Sequence, residues 1–468
     1  MPKSTTLIRN IGLIGIGRVS AQAVALLLLP VLTANLSPAE YGVVELLITY
    51  VALSAPLISL QLELGVFRFL IDERRKPEAT KVTISTAALP MSIAVVLCVV
   101  LGAVVGFFFH QALVFYFTAN LATMLLFNLM VQVARGMGRN ALYAVANIVV
   151  AASTLFATIL AMGFNVISVD LYLTVLAIAN AISALVLFLA LRFYKLCNLR
   201  SFSRTRLKEL LKYSVPLIPN ALSWWVINAS GRTVAAIFLG GYYVGILAVA
   251  SKFASIVTGL SAVFSLAWME AASVSINDSD RRDFFTMVVN QALRSFAALT
   301  VFIIGASPLL LSILVDDMFA EAYYYVPILL VGALCHSMVS FYSGVLIAQN
   351  RTGKVANTSI VSAIIAVGIS LIFVHWIGLY AIVLSTTVAF FFMVIYRQVL
   401  LQREMQIKYS TASLISVVVS FSVILVMYYF RFDPVTLLVL GTVIAIVLVI
   451  PAFITLYRVL IHRRATRS

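Results

Sequence analysis

The side chains with the most chemistry to offer are charged ones set inside long apolar runs. Arg18, Arg232, Lys252 and Arg294 are basic; Glu45, Glu63 and Glu270 are acidic. A charge at the centre of a bilayer costs about 2.5–3.5 kcal/mol on insertion scales, so four cations facing lipid would cost roughly 10 kcal/mol. Such groups are expected to face a wet cavity or to pair across helices. At about 1.5 Å per residue, Arg18 and Arg294 fall near mid-membrane. Arg232 and Lys252 share one level on either side of the turn at 240–243. The cationic set fits an anion, and a diphosphate in particular, because a guanidinium fork bonds two phosphate oxygens at once. The alternative is interhelical ion pairing, of Arg68 with Glu63 or of Lys252 with Glu270 or Glu45. Glu45, Glu63 and Arg68 are the candidates for gating or ion coupling. Arg68 could equally snorkel to the interface. Trp224 and Trp225 lie well inside their run, where they could contact a sugar, line the cavity or simply pack.

The elements that must hold these residues are transmembrane helices. Of 468 residues, 63% are hydrophobic and only 10% charged, against about half and a quarter in a soluble domain. Lipid must be the solvent for much of this surface. Apolar runs predict fourteen spans, at 8–33, 41–70, 82–109, 112–134, 141–163, 170–194, 214–240, 243–270, 284–314, 325–349, 355–375, 378–400, 411–430 and 434–457. With the N-terminus in the cytoplasm, the cytoplasmic segments hold every Lys and Arg except the four inside spans and Arg431. The outer loops carry Glu40, Asp170, Asp316, Asp317, Glu321 and Asp433 instead. This sign pattern supports a multi-pass protein with both termini cytoplasmic. It also accounts for the net charge of +15 without nucleic acid.

The expected architecture is all-α and integral to the membrane. A six-helix bundle at 1–194 is joined to a second at 214–400 by a cytoplasmic linker at 195–213. An extra helix pair and a basic tail follow at 401–468. In the linker, Leu207, Leu210 and Leu211 alternate with Arg204, Arg206, Lys208 and Lys212, which predicts a short helix on the membrane surface. QVARGMGRNALY after the fourth span resembles LIAQNRTGKVAN after the tenth, and LSPAEYGVVELL resembles LGGYYVGILAVA. Two pseudo-symmetric bundles around a central cavity follow from such a repeat, as in secondary transporters.

Other chemistry is not visible. Cys98, Cys197 and Cys335 have no metal or redox spacing, and neither a nucleophile elbow nor a nucleotide-binding loop is present. No catalytic residue, metal or cofactor is expected. His336 reads as a core histidine and His375 as interfacial. Short outer loops oppose a glycan polymerase or ligase. Transport must then draw on an ion gradient (H+ or Na+), the membrane potential or the substrate's own gradient.

LTANLSPAEYGVVELL, LELGVFRFL, VARGMGRNALY and above all LKELLKYSVPLIPNALSWWVINASGRTVAAIFLGGYYVGILAVASKF resemble the bacterial polysaccharide flippase family. That family lies within the multidrug/oligosaccharidyl-lipid/polysaccharide exporter (MOP) superfamily. The resemblance covers roughly residues 5–400. It implies movement of an undecaprenyl-diphosphate-linked oligosaccharide from the cytoplasmic to the outer leaflet of the bacterial inner membrane, for surface polysaccharide such as O-antigen or exopolysaccharide. It also implies membrane lipids, a polysaccharide polymerase and chain-length enzymes as partners. Arg232 and Lys252 fall where the family often carries basic residues. The acid that often precedes the first of them is replaced by Gly231. Arg18 resembles the first-span arginine of lipid II flippases. A lipid II flippase and an ion-coupled drug exporter are the alternatives within the superfamily, and the mainly basic mid-membrane set disfavours the exporter.

Overall fold

The computed structural model describes residues 15, 20, 22–164, 166–276, 281–349, 351–407 and 409–465. Among them no strand occurs, and twelve helices are long and apolar enough to cross a membrane. The chain order is α1 (Gln22–Asn35), α2 (Pro38–Ile58), α3 (Leu62–Glu73), α4 (Pro77–Phe109), α5 (Ala112–Gly136), α6 (Asn140–Gly163), α7 (Val169–Ala190), α8 (Arg204–Ser214), α9 (Ile218–Phe238), α10 (Gly241–Ser275), α11 (Arg281–Leu314), α12 (Val326–Ala348), α13 (Thr352–Ile377), α14 (Leu379–Met405), α15 (Thr411–Tyr429) and α16 (Pro434–Ala465). Two of the fourteen predicted spans are not among the twelve. The first lies partly outside the described residues and continues into α1. The seventh forms α9, whose Asn220, Ser223, Asn228, Ser230 and Arg232 dilute its apolar character.

Helix ends follow local chemistry. Pro38 occupies the first turn of α2, and Ser37 with Glu40 forms a reciprocal cap: the Glu40 N–H donates to Ser37 Oγ (3.3 Å) and the Ser37 N–H to Glu40 Oε2 (2.8 Å). Ser168 caps α7 and Ser203 caps α8 in the simpler way, through Leu171 N–H and Arg206 N–H. Large apolar side chains such as Phe107, Phe108, Ile364 and Val447 are more than half exposed. In a membrane protein such faces meet lipid, so their exposure costs little.

The chain divides into two compact units. One comprises Met1–Thr233 with Gly240–Gly245; the other comprises Val234–Leu239 with Ile246–Ser468. This partition by packing falls further along than the 195–213 division read from the repeat, and most of α9 belongs to the first unit.

In the first unit, α5 packs on α2, α3, α4 and α7. The predicted span 41–70 is in fact two helices. Pro56 lies in the last turn of α2, and the chain unwinds at Ser59–Gln61 before α3 begins. Leu60 and Gln61 both take left-handed backbone angles, with φ of 49° and 52°. The first turns of α2 also meet the Gly240–Gly245 segment backbone to backbone. A Cβ on Gly42 would lie 2.1 Å from Gly241 O, and one on Gly245 would lie 2.0 Å from Pro38 O. Gly42 and Gly245 occupy matching positions of the repeat LSPAEYGVVELL/LGGYYVGILAVA, so the contact is reciprocal. Only glycine admits such an approach.

The linker is pinned to its own unit. The predicted helix is α8, but it does not rest on the membrane surface alone. Leu210 is fully buried and sits against Gly65 of α3. Arg206 pairs with the buried Glu73 at 2.7 Å and with Glu209 at 3.0 Å. Glu73 also accepts from Thr83 Oγ1 (2.7 Å). Upstream of α8, Asn198 N–H donates to Ser85 Oγ and Ser203 N–H to Thr86 Oγ1. Arg206 therefore works as an internal ion-pair partner, where the sequence reads it as one of the cytoplasmic cations of a surface helix.

In the second unit the C-terminal pair is not an appendage. Helices α15 and α16 pack on α11, and Gly305 faces Gly441 so closely that a Cβ on Gly305 would lie 2.5 Å from Leu437 O. Tyr323 and Tyr428 stack at 4.3 Å and donate to each other's backbone carbonyls (2.7 and 2.9 Å). Tyr429 donates to Tyr324 O (3.0 Å) and Arg431 to the Tyr324 hydroxyl. This fixes the end of α15 to the short 3-10 helix Asp317–Tyr324.

Candidate functional site

The polar centre of the first unit is built on α2 and α9. Helical spacing places Tyr41, Glu45 and Thr49 on one stripe of α2, and all three are buried. From α9, Trp225 and Arg232 stand two turns apart on one face. The Arg232 guanidinium pairs with Glu45 Oε2 at 3.5 Å and donates to Thr49 Oγ1 at 3.3 Å. The Tyr41 hydroxyl donates to Glu45 Oε1 (3.1 Å), and the Trp225 indole N–H donates to Thr49 O (3.0 Å). Tyr50 extends the cluster, donating to Thr233 Oγ1 (3.2 Å).

This arrangement refines several expectations. Gly231 removes the acid that would neighbour Arg232 in sequence, yet an acid is supplied from α2, by Glu45. The pair is long and not fully engaged: Arg232 Nε is buried with no hydrogen-bond partner, and the side chain stays 22% exposed. Trp225 is half-buried and tied to α2 by its indole N–H. Trp224 is half-buried beside it, its carbonyl accepting from Asn228 (2.8 Å). Arg68 is exposed and pairs with the exposed Asp72 at 2.6 Å, not with Glu63. Glu63 stands just beyond the break in span 2, with Oε2 buried and unpartnered. Arg18 lies outside the described residues.

The second unit holds the other two predicted cations. Lys252, on α10, is half-buried. Arg294, on α11, is half-buried too; it makes no ion pair among the described residues, and its Nε is buried with no partner. An apolar groove of about 710 Å³ runs between α11 and α16, lined by Ser295, Ala298, Leu299 and Phe302 of α11 and by residues of α16. The groove has almost no polar lining, so it offers bilayer chains a surface but no means of recognition.

One buried cation was missed. Arg397 was counted as a cytoplasmic charge, but it is fully buried. It donates from Nε to Thr358 Oγ1 (2.9 Å), from one terminal nitrogen to Val339 O (3.1 Å) and Ser343 Oγ, and from the other to Val355 O (3.2 Å) and Ser359 Oγ (3.1 Å). Five acceptors on α12 and α13 saturate its donors, so it ties these helices to α14 and cannot hold an anion. The hydroxyls on neighbouring helices, Ser343 on one and Thr358-Ser359 on the other, were the only signal in the sequence. His336 is half-buried with its ring edge-on to Phe390 at 5.1 Å, and His375 packs in the same way on Phe238. Among the described residues no cluster of three or more His, Cys, Asp or Glu could hold a metal ion.

Comparison with known proteins agrees with the fold. A family profile described as "Polysaccharide biosynthesis protein" matches residues 7–269, more than half of the chain. No curated protein matches the sequence. Among solved structures, an inward-facing multidrug resistance MATE family transporter of the MOP superfamily aligns with a TM-score of 0.69 at 16% identity, covering 83% of this chain and 98% of the other. The lipid II flippase MurJ, in an inward closed conformation, aligns with a TM-score of 0.69 at 14% identity, covering 97% of this chain and all of the other. A MOP superfamily transporter from Pyrococcus furiosus, described as having a binding pocket of reverse polarity, aligns with a TM-score of 0.57 at 16% identity, covering 85% and 95%. At these identities the structures establish the fold, while the profile establishes kinship: the chain belongs to the polysaccharide biosynthesis protein family and has the MOP transporter fold.

Proposed function

We propose that the protein is a flippase that carries an undecaprenyl-diphosphate-linked oligosaccharide from the cytoplasmic to the outer leaflet of the inner membrane by alternating access. The observation that carries this reading is Arg294, a half-buried guanidinium within a membrane helix with no ion pair among the described residues. A cation kept in a membrane helix at such cost is a functional group by default, and a diphosphate is the partner whose charge and oxygen spacing suit it. Arg232, loosely held by Glu45, and Lys252 complete the proposed diphosphate set with Arg18. The family match supports a glycan-linked cargo. Both termini are cytoplasmic in this reading, and a polymerase and chain-length enzymes would take the product.

The second reading is a lipid II flippase, favoured by the near-complete mutual coverage with MurJ. Its cargo is also a lipid diphosphate, so the cation set serves both readings. A deletion strain separates them. The first reading predicts viable cells that lack a surface polysaccharide and accumulate its lipid-linked precursor. Loss of viability with accumulated lipid II, and unchanged surface polysaccharide on depletion, would support the second.

A further inference from the structure

Two successive non-glycine residues in the left-handed region are uncommon, and each costs roughly 1–2 kcal/mol. Leu60 and Gln61 do this inside what composition reads as one membrane span. Packing does not explain Leu60, whose side chain is 39% exposed. Strain of this kind marks a hypothesis of function only when other groups point the same way, and here three do.

The first is the backbone. The helical partner of Leu57 O would be Gln61 N–H, which donates instead to Ser59 Oγ (3.0 Å). The helical partner of Ile58 O would be Leu62 N–H, which donates instead to Ser59 O (3.0 Å). Both carbonyls, at the negative end of the α2 dipole, are thereby released from the helix ladder. The second is Gln61. It is 6% exposed, a polar side chain buried within an apolar run. The third is Glu63, whose Oε2 is buried and unpartnered and which makes no ion pair among the described residues. The other acids of this region are matched: Glu45 by Arg232, Asp72 by Arg68 and Glu73 by Arg206. The start of α3 favours the Glu63 carboxylate through the helix dipole, but that leaves Oε2 buried and without a partner.

We infer that the break at Ser59–Gln61 is a binding site for a small monovalent cation, held by the Glu63 carboxylate with oxygens of Ser59, Gln61 and the freed carbonyls of Leu57 and Ile58. The donor set is all oxygen and carries one negative charge, which a single positive charge balances. Non-helical backbone at membrane depth is tolerated where it is buried or lines a wet site, and unwound carbonyls with a carboxylate are a recurrent cation cradle in transporters. Resting on the transport reading, this deepens it: the cation would be the coupling ion, and the site lies wholly within the first unit.

The test is thermal unfolding of the purified full-length protein in detergent, in NaCl, LiCl or KCl against choline chloride at equal ionic strength. Wild type is expected to gain several degrees in at least one alkali chloride over choline. Glu63→Gln should abolish the gain while unfolding near the wild-type choline value. Should E63Q not fold, Gln61→Ala is expected to weaken the response at least several-fold in half-saturating concentration. No gain in wild type over choline, or an undiminished gain in E63Q or in folded Q61A, overturns the site. The readout needs no lipid substrate. A cation response in a protein that fails to flip lipid-linked glycan would therefore sink the transport reading and leave the site standing.

Discussion

Arg397 allows a sharp prediction about a buried charge without a counter-ion. It makes five hydrogen bonds, to acceptors on α12 and α13, and none of the five is a carboxylate. Lysine would keep the charge but offer only three donors from one nitrogen. At least two of the five bonds would go unmade, at about 1.5 kcal/mol each for a charged donor, or about 3 kcal/mol in all. Methionine of similar length would remove the charge along with the bonds. The acceptors it leaves behind are not orphaned: Ser343 Oγ donates to Val339 O (2.7 Å), and Thr358 Oγ1 and Ser359 Oγ donate to Val355 O (2.9 and 3.0 Å). Because replacing a buried charge with an apolar group of like volume is often neutral, Arg397→Met should cost no more than about 1 kcal/mol. Alanine adds a cavity and should fall below methionine by about 2 kcal/mol or more. Thermal unfolding in one detergent should rank wild type and R397M together, with R397K and R397A several degrees lower. An R397K protein as stable as wild type, or more stable than R397M, would refute the reasoning from donor count and charge burial.

Two further predictions concern the first unit. Gly42→Ala or Gly245→Ala forces a Cβ onto a backbone oxygen at 2.1 or 2.0 Å, so each should destabilise by about 2 kcal/mol or more. Gly163→Ala, with nothing within 4 Å of the added carbon, is the control and should unfold like wild type. Equal midpoints for G42A and G163A would contradict the close contact. For the ion pair, Glu45→Gln leaves the part-buried Arg232 uncompensated, and should cost about 1–3 kcal/mol. The double variant E45Q/R232Q should recover at least a third of that loss. A purely additive double-mutant cycle in thermal unfolding would show that the 3.5 Å contact carries no coupling.

The parts of the fold legible in the sequence were those that lipid dictates. Long apolar runs and the alternation of loop charge mark the spans, because neither depends on which helix faces which. The end of α4 and the start of α5 fall where His110 and Gln111 interrupt the run. What escaped depended on faces and angles. Span 2 reads as one run because Ser59, Leu60 and Gln61 are no less compatible with a helix than their neighbours, and only Pro56 hints at the break. Arg397 reads as a cytoplasmic charge because it falls near the end of the apolar run 378–400. Its position within α14 turns it inward onto the hydroxyls of α12 and α13. The Glu45–Arg232 pair joins residues 187 positions apart (232 − 45), which no spacing rule connects; the sequence offers Lys252 as a partner for Glu45 and no partner for Arg232. The glycine contact was half visible: the repeat aligned Gly42 with Gly245, but nothing in the sequence said that the aligned turns touch.

The central claim is that fixed positive charge within the membrane helices recognises a lipid diphosphate, and Arg294 tests it most directly because no described residue neutralises it. The measurement is surface polysaccharide and accumulated lipid-linked precursor in a deletion strain carrying wild type or Arg294→Ala at equal membrane abundance. The account predicts that R294A inserts and folds normally, restores no surface glycan and leaves the precursor accumulated, while Arg294→Lys restores part of the export. Wild-type surface glycan from cells carrying R294A at normal abundance would contradict it.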